Sequence, residues 1–112
     1  MKEKLVVLWT TKDPDTAKYM VLMYTLNAKR RGWFDDVTLV IWGSSSRLVA
    51  EDQEIQAKVK ELLSEGITVE ACLRCADALG ASDRLRELGV DVKLMGEPMS
   101  QYLKEGRRVL SV

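Results

Sequence analysis

Two cysteines three residues apart, Cys72 and Cys75, are the groups in this chain whose type and spacing most directly suggest chemistry. They lie in residues 67–80, Ile-Thr-Val-Glu-Ala-Cys-Leu-Arg-Cys-Ala-Asp-Ala-Leu-Gly, and are the only cysteines present. A short β-branched apolar run ends at Cys72, and a helical pattern takes over from there. A thiol beside a helix start has its thiolate stabilised by the helix dipole and by free backbone N–H groups. Arg74 adds positive charge between the two sulfurs. Such surroundings suit a nucleophilic or sulfur-carrying cysteine. The same spacing also permits a reversible disulfide, so a dithiol redox switch is an alternative reading. Two small buried hydrophobes, the ordinary fate of free cysteines, is the plainest one. The Trp-Cys-Gly-Pro-Cys run of thioredoxin-like proteins is absent.

The chain contains no histidine. Ser-His-Asp and Cys-His catalysis and histidine-based zinc sites are therefore excluded within one chain. Proton transfer falls to carboxylates, lysine, tyrosine or a thiol. A structural zinc needs about four ligands, which two thiols cannot supply without a symmetry mate, so no metal is expected. Residues 43–47, Gly-Ser-Ser-Ser-Arg, have the composition of an anion cradle, with Ser45 and Arg47 as the candidate contacts. Plain helix capping is the more frequent duty of serines in that position. Lys12, in the loop Thr10-Thr11-Lys12-Asp13, is a candidate to neutralise a thiolate or persulfide. That loop lacks the glycines of a dinucleotide site and no Walker pattern occurs, so NAD and ATP are not expected. A flavin phosphate stays open, although the hydroxyl-rich loop follows the second strand rather than the first, and no cofactor is assigned.

These candidates need a scaffold, and the chain alternates strand-like and helix-like segments. Residues 4–10 form a nearly continuous apolar run, as in a strand covered on both faces. Asp13-Pro14 starts a helix expected to reach Arg31, with Gly32 as its left-handed stop. Ala17, Met20, Val21, Tyr24 and Ala28 make its apolar stripe. Leu22, Met23 and Leu26 fall off that stripe, which suggests a subunit contact. Residues 37–42 are a second strand. A turn at 47–51 and an amphipathic helix capped by Asp52 and carrying Ile55, Val59, Leu62 and Leu63 follow. Residues 67–72 are the third strand, and two short helices precede a fourth at 90–95. A helix carrying Met99, Tyr102 and Leu103 leads to a terminal strand at 107–112. The pattern predicts an α/β fold, a three-layer α/β/α sandwich on a mainly parallel five-stranded sheet, in one domain spanning residues 1–112. In such sheets the loops after the strands share one edge, which collects residues 10–13, 43–47, 72–75 and 95–97. Trp9 and Trp42 end the first two strands, where packing is their commoner role.

Bulk composition bounds the function further. At 112 residues, with 46% hydrophobic and 30% charged residues, this is one ordinary globular unit. Seventeen basic residues balance seventeen acidic ones, which argues against nucleic acid as a partner. No run approaches a membrane span, and the first strand begins too early for a signal peptide. Two cysteines without a secretory signal suggest a reducing cytoplasm.

The chain resembles the DsrE/DsrF-like sulfur-relay superfamily, in particular its small stand-alone proteins. The resemblance rests on Leu-Trp-Thr at 8–10, Asn-Ala-Lys-Arg-Arg-Gly-Trp at 27–33 and Val-Ile-Trp-Gly-Ser-Ser at 40–45. It continues through Ala-Cys-Leu-Arg-Cys-Ala-Asp at 71–77 and Leu-Gly-Val-Asp-Val-Lys-Leu-Met-Gly-Glu-Pro at 88–98. It implies a persulfide on the cysteine just after the third strand, which is Cys72 counted back from Gly80. Cys75 has no equivalent in the sulfur-transferring members. The resemblance also implies sulfur donor and acceptor proteins as partners, and a symmetric homo-oligomer, a trimer or hexamer. The function expected is a sulfurtransferase-like carrier with Cys72 as nucleophile. Cys75 is then an auxiliary thiol able to resolve the persulfide or oxidise with Cys72. A non-catalytic oligomeric module binding a small molecule or anion is the alternative from a different class.

Overall fold

The computed structural model describes residues 2–112. Five strands, β1 (Lys4–Trp9), β2 (Asp36–Ile41), β3 (Thr68–Cys72), β4 (Asp91–Lys93) and β5 (Arg108–Ser111), form one sheet in the order β4-β3-β2-β1-β5. Every pairing is parallel. The inner strands are covered on both faces, so their sequences are almost uninterruptedly apolar. Val6, Val7, Leu39, Val40 and Ile41 are all fully buried. The edge strands are short and polar, with Asp91, Lys93 and Arg108 on them, which blunts edge-to-edge pairing. That accounts for β4 being shorter than the apolar run 90–95 suggests: Val90 and Met95 are buried outside the ladder.

The order of the strands decides where the helices go. From β1 through β4 each step moves one strand in the same direction, and right-handed crossovers then put every connection on the same face. That face carries α1 (Pro14–Thr16), a π-helical segment (Ala17–Leu22), α2 (Met23–Arg30), α3 (Ser45–Glu51), α4 (Gln53–Ser64), α5 (Leu73–Ala78) and α6 (Ser82–Leu88). Their buried side chains join Leu5, Val7, Trp9, Leu39, Ile41, Val69 and Ala71 in the main core. The return from β4 to β5 runs the other way, and its helix α7 (Gly96–Lys104) lies on the opposite face. There Met95 and Met99 pack on Val6, Val40 and Cys72. The result is a three-layer sandwich with one thick and one thin helical layer.

The long first helix departs from a simple stripe. Asp13 caps it as expected, accepting from Thr16 N–H at 2.9 Å, and Gly32 beyond its end has φ 67°. Between these ends the π segment turns less per residue than an α-helix. Leu22 is thereby brought inward and is 2% exposed, while Met20 and Tyr24 move to the flank. The buried set is Ala17, Val21, Leu22, Thr25 and Ala28. Of the three residues off the expected stripe, Leu22 is consumed by the chain's own core and Leu26 is half-buried. Met23 alone stays exposed.

Candidate functional site

Parallel sheets bind ligands at the carboxyl edge, where neighbouring strands send their chains to opposite faces. Here that place is between β3 and β4. The chain leaving β3 enters α5 on the thick side, and the chain leaving β4 enters α7 on the thin side. Cys72 and Lys93, the last residues of the two strands, are register partners across this gap.

Cys72 is both the end of β3 and the residue preceding α5, with an extended backbone (φ −71°, ψ 116°) and no side-chain capping bond. Its side chain belongs to the thin-side cluster with Val6, Val40, Met95 and Met99, and it is 6% exposed. Cys75 sits on the first turn of α5, is half-buried and packs against the same cluster. Both thiols are free. Cys72 and the Gly43 backbone N–H both act on the proton affinity of Cys75. Gly43 adopts φ 70° just after β2, a left-handed conformation that suits a residue without Cβ. Burial pushes the Cys75 thiol above its ordinary range; the Gly43 N–H opposes this, while the neighbouring Cys72 pushes the same way. The net effect keeps the proton on Cys75.

The remaining sequence candidates divide. Ser45 is fully buried; its hydroxyl donates to the Trp9 carbonyl at 2.6 Å and accepts from Trp42 N–H at 3.2 Å. That hydroxyl therefore stitches the ends of β1 and β2. Arg74 between the thiols in sequence, Lys12 in the loop after β1 and Arg47 on the first turn of α3 are exposed and carry no ion pair among the described residues. Trp9 is fully buried on the thick side, its indole N–H donating to the Thr11 carbonyl at 3.0 Å. Trp42 instead packs with the cluster around Cys72.

A second group on the thin side escaped the sequence reading. Glu70, two residues before Cys72 on the same face of β3, is 3% exposed. Its carboxylate accepts from the Tyr102 hydroxyl of α7 and pairs with Lys93, which also reaches Asp91 at 2.8 Å. The carboxylates raise the Lys93 ammonium, and burial plus the Glu70 contact push the Tyr102 phenol up to about 12. Arg107 lies over the Tyr102 ring, 4.3 Å from its centre. The available signal was a lone acid in an otherwise apolar strand, which must find partners once buried.

A surface hollow of about 610 Å³ lies at the opposite edge among Lys2, Glu3, Lys4, Glu105, Gly106, Arg107 and Arg108. It is open, charged and remote from the thiols, so strand topology and sulfur contacts define the candidate site instead.

The sequence model of the DsrE/DsrF-like family matches residues 3–112. Among solved structures, the chain is similar to the conserved protein of unknown function BT1422 from Bacteroides thetaiotaomicron. The two are 43% identical with a TM-score of 0.94, over 98% of this chain and 95% of that one. The ychN protein from E. coli has the same fold at 18% identity, with a TM-score of 0.76 and full coverage of both chains. So does MTH1491 from Methanobacterium thermoautotrophicum, at 22% identity and a TM-score of 0.75, covering 98% of this chain and 99% of that one. No curated protein matches the chain.

Proposed function

Because the chain belongs to the DsrE/DsrF-like family, a family generally related to sulfur relay, we propose that it carries sulfur as a persulfide on Cys72. The observation that supports this most directly is the position of Cys72 at the switch point between β3 and β4, paired in register with Lys93. The thiolate attacks the outer sulfur of a persulfide donor, the donor leaves as its thiolate, and the carrier holds one extra sulfur. Met95 and Met99 supply soft, adaptable surroundings for it. Arg74, Lys12 and Arg47 offer an exposed cationic margin for an acidic donor or acceptor protein. Donor and acceptor are proteins in this reading, and the carrier is a cytoplasmic trimer or hexamer of identical chains.

Exposure to glutathione persulfide, followed by intact mass measurement, tests the proposal. The chain is expected to gain one sulfur, and Cys72→Ser to gain none. A gain that survives Cys72→Ser unchanged removes Cys72 from the mechanism.

Two free thiols at the start of one helix favour a second reading, a dithiol switch. It predicts a reversible loss of two hydrogens on mild oxidation, without any sulfur uptake.

A further inference from the structure

The carrier reading leaves the neighbour of Cys72 without a task, although the fold places it with care. Cys72 immediately precedes α5 and Cys75 lies on its first turn, so both side chains stand over the same end of the helix. A cysteine just before a helix and another on its first turn is the Cys-x-x-Cys placement in which dithiols close a disulfide. Cys75 packs against the same apolar cluster that holds Cys72. Cys72 faces Val6, Val40, Met95 and Met99, whereas Cys75 is the more exposed of the two.

A persulfide on Cys72 therefore forms against a thiol that can attack it. We infer that Cys75 discharges the sulfur held on Cys72, making the protein a sulfide-releasing persulfide reductase as well as a carrier. This rests on the carrier reading above. Cys75 Sγ bonds to the inner sulfur of the Cys72 persulfide, and the bond from inner to outer sulfur breaks. The outer sulfur leaves as HS⁻ and takes up the Cys75 proton, giving hydrogen sulfide and a Cys72–Cys75 disulfide. The outer sulfur gains two electrons, and the two cysteines lose them. A single turnover needs no other reagent, and repeated turnover needs a dithiol reductant. The attacking form is the Cys75 thiolate, whose fraction the raised thiol limits, so discharge quickens as pH rises. An apolar pocket also disfavours the persulfide anion, which favours its discharge.

The test loads the chain with glutathione persulfide, removes excess reagent, and follows intact mass and trapped sulfide over time. In the natural chain the extra sulfur should disappear, leaving a mass two hydrogens below the reduced protein and one sulfide per chain. Cys75→Ser and Cys75→Ala should both load and retain the sulfur about tenfold longer or more. Equal retention in the natural chain and both variants overturns the inference while leaving the carrier reading intact. Loading of the natural chain but of neither variant also overturns it, because Cys75 is then the point of capture. No loading in any form overturns the carrier reading, and the discharge with it.

Discussion

A sulfur atom reacts according to what surrounds it, and the two thiols here have unequal surroundings. The Gly43 N–H favours a thiolate at Cys75, yet burial and the neighbouring sulfur outweigh it and raise the thiol. Its alkylation by iodoacetamide in Cys72→Ser is therefore expected to rise with pH along a curve displaced above that of an ordinary cysteine. A curve displaced below it would contradict the electrostatics described here. Both cysteines stood out in the sequence as candidates for chemistry because their type is rare and their spacing is short. Their inequality did not, since it depends on Met95, Met99 and Gly43 arriving from distant segments. Ser45 shows the converse. Its composition suggested an anion contact, but a hydroxyl buried between two strand ends is claimed by the Trp9 carbonyl.

At the scale of elements, α7 is the thin layer's one helix, and it closes the side of the sheet where Cys72 lies. Apolar contacts from Met95 and Met99 and the Tyr102–Glu70 hydrogen bond secure it. Removing the phenol leaves a nearly inaccessible carboxylate with Lys93 as its remaining partner. Tyr102→Phe is expected to lower stability by about 1–2 kcal/mol, the scale of a partly screened hydrogen bond to a charged group. It should also speed Cys72 alkylation. A chemical-denaturation curve with an unchanged midpoint would show that the bond contributes nothing. The folded phenol titrates near 12 against about 10 when unfolded, so folding favours its protonated form. Its contribution is complete below pH about 10 and erodes as pH climbs toward about 12, a slope Tyr102→Phe should lack. Helix starts at Asp13 and Asp52 were readable from capping chemistry, since each side chain takes a nearby backbone N–H. The contents of the thin side were not readable. Pairing Glu70 with Tyr102 requires knowing that the chain doubles back across the sheet.

For the molecule as a whole, apolar periodicity carried the fold class because each inner strand has to be covered on two faces. Periodicity is silent about strand order, and therefore about which face each right-handed crossover covers. The proposed symmetric assembly is testable by sedimentation equilibrium, where a mass three or six times that of one chain is expected. A single-chain mass at micromolar concentration would leave the exposed Tyr19, Met23 and Trp33 as ordinary surface. No helix among the described residues is long and apolar enough to cross a membrane.

The wide turn at Ala17–Leu22 means that this helix holds one residue more than an α-helical period requires. Dropping the exposed Tyr19 would let the backbone relax to ordinary pitch while Val21, Leu22, Thr25 and Ala28 keep their bearings toward the sheet. The same excision within Gln53–Ser64 would swing everything downstream by about 100° and expel its buried row. Two helices on the same layer thus differ sharply in their tolerance of a lost codon.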